Sequence, residues 1–252
     1  MRIVTRERAL AILSPVAVLA VWQVASDMGW TNQRYLPSPV TIAGAGWDLA
    51  LSGKLAFDIG ASLRRLVIGF VLGAVPGVML GMLMGLNRWV RAAVDPLVAA
   101  LYPIPKIAIL PLLMLVFGLG DGSKVAVVAM SVFFLTVINT TAGVIQLDRI
   151  YFEVARNYGT PWYKLFPRVI LPGALPTIFA GLRISLGVSL VVLVGAEFVA
   201  SDSGIGSLIW VSWQTLVVEN MFVGIIVITV LGVLSTLFLH ECERLLVPWR
   251  RE

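Results

Sequence analysis

Leu66-Val67-Ile68-Gly69-Phe70-Val71-Leu72-Gly73-Ala74-Val75-Pro76-Gly77-Val78-Met79-Leu80-Gly81-Met82-Leu83-Met84-Gly85-Leu86-Asn87 runs for 22 residues without a charge. About 20 apolar residues carry an α-helix across roughly 30 Å of hydrocarbon, so the stretch reads as a membrane span. Within it Gly69, Gly73, Gly77, Gly81 and Gly85 recur at every fourth position. Steps of four keep them on one slowly turning stripe, with Pro76 adding a bend. Lipid gives helices no hydrophobic reason to associate, so close backbone approach must hold them together. The stripe serves either tight helix packing or the lining of a route.

Working outward, the whole chain has the same character. Of its 252 residues 59% are apolar and 13% are charged, and the mean hydropathy is +0.93. A soluble domain runs near 45–50% apolar and about 25% charged, which excludes an ordinary soluble enzyme. Further uncharged stretches cover Ala9–Ser26, Val125–Leu147 and Asn220–His240. Two more are interrupted: Pro96–Gly120 carries Lys106, and Val169–Ala200 carries Arg183 and Glu197. The expectation is an all-α integral membrane protein of about six spans, with residues 1–252 forming one transmembrane domain. Cys242 is the sole cysteine and cannot form an internal disulfide.

Lysine and arginine set the orientation. With the N-terminus inside, the cytosolic segments hold twelve: Arg2, Arg6, Arg8, Arg88, Arg91, Arg149, Arg156, Lys164, Arg168, Arg244, Arg250 and Arg251. The outer segments hold five, namely Arg34, Lys54, Arg64, Arg65 and Lys124. This bias places both termini in the cytosol and accounts for the net charge of +5 without nucleic acid. Ala9–Ser26 is longer than the 7–15 apolar residues of a cleaved signal, so it is read as a span. Residues 29–62 form an outer loop, stiffened by Leu36-Pro37-Ser38-Pro39, with an interfacial helix over Thr41–Phe57. Ser201–Ser207 is turn-rich, and Leu208–Val218, bearing Trp210 and Trp213, suits the outer interface.

Catalytic chemistry is missing. His240 is the lone histidine, and a metal site needs three or four converging ligands. Gly118-Leu119-Gly120-Asp121-Gly122-Ser123-Lys124 lacks the ending of a phosphate-binding loop and reads as an outer turn. The expectation is therefore no catalytic residue, no metal and no cofactor in this chain. In the third span Pro103, Pro105 and Pro111 each remove a backbone N–H. Freed carbonyls are tolerated at membrane depth only beside protein or a cavity, so this broken helix is placed beside a substrate pathway, with Glu197 counted among the pathway residues. An ammonium there costs about 2.5–3.5 kcal/mol on the insertion scale. Lys106 needs compensation: a place in the pathway, a partner such as Glu197, or snorkelling to the interface. Arg183 reads as reaching back to cytosolic headgroups.

The loop after the fourth span, 148–172, is the most specific part. Leu147–Tyr158 is amphipathic, Gly159 suits a helix end, and Thr160-Pro161 reads as a cap followed by proline at the first helical position. A charged, aromatic cytosolic hairpin with preset ends can seat in a groove of a soluble partner. Glu153, Ala155, Gly159, Val169, Leu171 and Pro172 follow the spacing E-x-A-x3-G-x9-V-x-L-P. That spacing resembles E-A-A-x3-G-x9-I-x-L-P, the cytosolic loop of binding-protein-dependent ABC importer permeases, with Val154 and Val169 as departures. Tyr102–Leu113, Phe117–Gly120, Ser123-Lys124, Leu36–Pro39, and Glu197 with Gly204 and Gly206 are similar to the sulfonate, taurine, nitrate and bicarbonate branch.

The resemblance implies a type I ABC importer permease fold with the loop as coupling helix. Glu153, Ala155, Arg156, Gly159, Thr160, Pro161, Leu171 and Pro172 would then contact the ATPase. It also implies a homodimer, two ATP-binding subunits that hold ATP and Mg, and an extracytoplasmic substrate-binding protein. The setting would be the bacterial inner membrane; the resemblance does not fix the cargo, and Lys106 adds the expectation of a small, anionic solute of the sulfonate or taurine, nitrate or bicarbonate type. The competing reading is an ion-coupled transporter or channel without an ATPase, for which Glu197 is the embedded acid. A membrane scaffold would leave the Glu153–Pro172 spacing unexplained.

Overall fold

The structure is a computed structural model and describes residues 2–199 and 201–249; Ala200 at the end of the fifth expected span, and Arg250 and Arg251 of the basic tail, lie outside the described residues. Among the described residues the regular structure is helical throughout. Helix α1 (Arg2–Asp27) leads to a short α2 (Pro39–Leu51), which Ser38 caps by accepting the Thr41 N–H. Gly53 turns the chain with φ +73° into α3 (Lys54–Leu86). This helix starts inside the stretch read as outer loop, so Arg64 and Arg65 stand on a span. Asn87 caps α4 (Arg88–Leu101) through Trp89 and Val90. A 3-10 turn and α5 (Leu110–Phe117) follow, then α6 (Asp121–Ile145) and α7 (Arg149–Asn157). The chain continues through α8 (Trp162–Leu165), α9 (Leu171–Val199), α10 (Ile205–Gln214) and α11 (Val218–Leu246).

Among the described residues four helical segments are long and apolar enough to cross a membrane alone: Lys54–Leu86, Asp121–Ile145, Tyr163–Val199 and Val218–Leu246. The third expected span is not a single rod. Arg88–Leu101 and Lys106–Phe117 meet at 86°, because Pro103 and Pro105 interrupt the helical bonding between them. Counted as one, the bent pair makes five, and α1 adds a shorter apolar stretch over Leu13–Asp27. Residues 205–214 rather than 208–218 form the short helix near Trp210 and Trp213.

The core is a parallel seam between α3 and α6. A Cβ at Gly69 would stand 2.6 Å from Val128, at Gly77 2.9 Å from Thr136, at Gly81 2.6 Å from Thr140 and at Gly85 2.5 Å from Val144. Gly73 likewise faces Val132 and the Ala129 carbonyl. The glycines thus receive Val128, Val132, Thr136, Thr140 and Val144, a second ladder in steps of four. Every knob is β-branched, and such residues are stiff about χ1 in a helix, so little side-chain freedom is lost on docking. Helix α6 turns its other side to α9, where Gly143 faces Thr177 and Gly181 faces Asn139. Helix α11 packs at the edge, against α2 through Gly46 and Val223 and against α1 through Trp22 and Phe222.

Candidate functional site

At one end of the bundle the segment 148–170 folds into an elbow. Asp148 opens α7 by accepting the Ile150 N–H at 3.0 Å. Gly159 closes it with φ +63°. There the Gly159 N–H reaches the Arg156 carbonyl and the Thr160 N–H the Ala155 carbonyl, both at 2.9 Å. That crossed pair satisfies carbonyls a helix end otherwise leaves open. Pro161 then accepts the N–H groups of Lys164 and Leu165. A single π turn over Phe166–Ile170 contains Pro167, whose missing N–H removes one tighter bond and widens the coil.

The elbow has an inner and an outer face. Ala155 is buried, and Phe152, Leu165 and Phe166 pack against Met82, Val144, Ile170, Ala174 and Ile178. Those contacts join the ends of α3 and α6 to the start of α9. Glu153, Arg156, Gly159 and Pro161 face outward; Thr160, Leu171 and Pro172 are half-buried. Beside them Tyr158 is 85% exposed and Tyr163 71%, with Tyr151 and Val154 also open. Basic Arg149, Arg156, Lys164 and Arg168 share this segment with the acids Asp148 and Glu153.

The bent segment holds its break with one side chain. Lys106 Nζ donates to the carbonyls of Leu101 and Tyr102 at 2.9 Å and of Ile104 at 3.0 Å. It also lies 4.6 Å from the Phe134 ring centre, a favourable place for a cation. The ammonium thus spends its three donors on carbonyls that Pro103 and Pro105 help free. Pro111 sits in the first turn of α5, where its missing N–H breaks no bond. Glu197 is not the partner of Lys106. Arg183 also finds a protein partner rather than headgroups alone, with Nη2 3.2 Å from Glu243 on α11.

Glu197 sits instead at the far end of the bundle, in a buried network absent from the sequence reading. Arg65 Nη1 donates to Glu197 Oε1 at 2.6 Å and to the Ser203 carbonyl at 2.7 Å. Its Nε reaches Asp121 Oδ1 at 2.7 Å and its Nη2 reaches Ser203 Oγ at 2.8 Å. Asp121 is also paired with Arg64. Ser62 Oγ donates to Glu197 and accepts the Ile205 N–H at 2.8 Å, while Glu197 Oε2 accepts the Gly206 N–H at 2.8 Å. Gly204, at φ +110°, leaves room that a Cβ would take from Glu197 and Arg65. Together these bonds tie α3, α6, α9 and α10. A local signal for half of them existed: the glycine stripe, extended backwards in steps of three or four, lands on Arg65, Ser62 and Asp58.

Comparison with known proteins adds a third line. The family model described as binding-protein-dependent transport system inner membrane component matches residues 77–251. The aliphatic sulfonates transport permease protein SsuC of Bacillus subtilis is 38% identical over 239 residues, 95% of this chain and 87% of that protein. Its namesake in Escherichia coli is 39% identical over 235 residues, covering 93% and 89%. A chain from inward facing conformations of the MetNI methionine ABC transporter superposes with a TM-score of 0.56, over 74% of this chain and 91% of that one. At 17% identity that last likeness concerns the fold.

Proposed function

The chain belongs to the family of binding-protein-dependent transport system inner membrane components, and from that premise we propose a full mode of action for it. It is the permease of an ABC importer, and in this reading two copies form the route. Two ATP-binding subunits, which supply ATP and Mg, grip the elbow, and an extracytoplasmic binding protein delivers the solute. Both termini and the elbow face the cytosol of a bacterial inner membrane, in keeping with the arginines and lysines gathered at that end. The cargo is a small anion of the organosulfonate type, a reading supported by the relatives named for aliphatic sulfonates.

The observation that carries this reading is the elbow's two-faced packing. Its inner face is wedged among α3, α6 and α9, while its outer face presents Tyr151, Val154, Tyr158 and Tyr163, which none of the described residues covers. Nucleotide binding elsewhere can bias this chain's states only through contacts that differ between those states. Glu153, Ala155, Arg156, Gly159, Thr160 and Pro161 shape that contact, and Leu171 and Pro172 pass it to α9. The bent segment of Pro103, Pro105 and Pro111 borders the route, with Lys106 as the clamp of its break. The ion-coupled and channel alternatives are not favoured, since the family works with a binding protein and Glu197 is engaged by Arg65.

The test is Gly159→Val. A β-branched side chain is strained at this φ, so the helix end distorts. Uptake driven by ATP should fall at least tenfold while membrane insertion stays normal. Wild-type uptake, with ATP-binding subunits retained stoichiometrically, would refute the assignment.

A further inference from the structure

Lys106 holds the break between α4 and α5 at the middle of the membrane. Its Nζ lies 4.6 Å from the ring centre of Phe134, and Phe134 stands halfway along the spanning helix α6. All three of its bonds go to neutral carbonyls, those of Leu101, Tyr102 and Ile104. Arg65 and Arg183, on other spans, each meet a carboxylate. Among the described residues no carboxylate pairs with Lys106. Its hydrogen bonds are satisfied and its charge is not.

Nor is the ammonium shut in. Lys106 is half-buried and its bonds lie at the open surface of the chain. Around it Tyr102 is 44% exposed, and Ile104 and Ile107 are each 39% exposed. A cation open at this depth is costly against hydrocarbon; such groups face protein or water-filled space and mark ion pathways. The open face of the break is therefore its face toward the route, and Lys106 is the one charge between Leu101 and Phe117. A bond between two ionised partners is stronger than one from a cation to a neutral carbonyl, because the full Coulomb attraction is added. A sulfonate-type oxygen arriving here displaces the carbonyls.

We infer that Lys106 is a charge-operated latch. An anionic group of the cargo draws the ammonium off the carbonyls of Leu101, Tyr102 and Ile104. The 86° break is then free to change its angle, with water of the route bonding the released carbonyls. The inference rests on the importer reading above and adds to it how the bent segment senses that cargo is present. In the latched form Pro105 lacks the N–H that would otherwise claim the Leu101 carbonyl, so the ammonium holds it unopposed. Cargo that binds the unlatched form more tightly shifts the chain toward it.

The experiment uses the complex with its ATP-binding subunits in nanodiscs, in a Cys242→Ser background that leaves no other thiol in this chain. A thiol placed by Ile104→Cys is labelled with two methanethiosulfonates of similar size, one carrying a sulfonate and one a trimethylammonium group. With Lys106 present the anionic reagent, corrected for its reactivity toward free thiol, should react about tenfold faster than the cationic one. Lys106→Met should erase that preference and Lys106→Arg keep it. Hydrogen exchange reads the latch itself. Excess ethanesulfonate should speed exchange over residues 101–110 roughly threefold in the unsubstituted chain, whereas ethyl methyl sulfone, its uncharged analogue, should not. This arm needs no variant and stands should Lys106→Met fail to assemble. Equal labelling by both reagents, no labelling by either, or exchange that both solutes speed alike or leave unchanged overturns the inference. So does a Lys106→Met variant with a lowered thermal midpoint and an intact labelling preference, since Lys106 is then a structural clamp alone. Failure of the importer reading would show separately, as an unsubstituted chain that retains no ATP-binding subunit.

Discussion

Arg65 and Glu197 are 132 residues apart in the chain and 2.6 Å apart in the fold. Both are nearly inaccessible, with side chains 4% and 0% exposed, and every bond around them is supplied by a neighbour at the same end of the bundle. Removing one member of such a pair leaves an uncompensated buried charge, at about 3–5 kcal/mol. Glu197→Gln should therefore lower the thermal midpoint and the membrane yield sharply. The double change Arg65→Met with Glu197→Met should recover much of that loss, since an apolar pair of similar size leaves no stranded charge. A double variant as unstable as Glu197→Gln would mean that the charges are indispensable. Only one side of this was legible in the sequence: the glycine stripe extended backwards reaches Arg65, whereas its pairing with Glu197 over such a distance leaves no local trace. Lys106 shows the opposite case. Its neighbouring prolines announce freed carbonyls, yet only the fold reveals that the ammonium itself answers them.

The α3–α6 seam is the element that the sequence displays most openly, and it displays only one side. Five glycines in steps of four are conspicuous, whereas valines and threonines at the same spacing on α6 are lost among other apolar residues. The seam predicts contrasting effects for one substitution. Gly73→Ala drives a methyl into the Ala129 carbonyl and Val132. Neither a backbone oxygen nor a stiff β-branched knob yields readily, so the thermal midpoint in detergent should fall by several degrees. Gly60→Ala, on the same helix but facing open space, should leave stability equal or raise it by about 0.5–1 kcal/mol through helix propensity. Equal midpoints for the two variants would deny the seam its role. The bent third span was legible as an interruption, because proline forbids interior helical bonds. Its 86° angle was not, since it depends on what α4 and α5 pack against.

Over the whole molecule, basic charge and the elbow's exposed aromatics gather at one end. The elbow gathers at the same end as the basic residues flanking the spans, and its uncovered tyrosines imply a soluble partner. Liposomes containing the chain alone should therefore show no solute uptake under any ion gradient. Adding the ATP-binding subunits, the binding protein and ATP should produce uptake. Gradient-driven flux by the isolated chain would contradict the proposed energy source. The seam carries one more consequence at this scale. A zipper whose teeth repeat every four residues can also close one tooth out of place, an offset of about 6 Å at 1.5 Å per residue, with each glycine still facing a plausible knob. Nothing in the repeating teeth tells the right closure from the wrong one. The bond from Arg65 to Asp121 does. It occurs at one end and is not repeated along the seam, and so it acts as the stop that indexes the two rods during assembly.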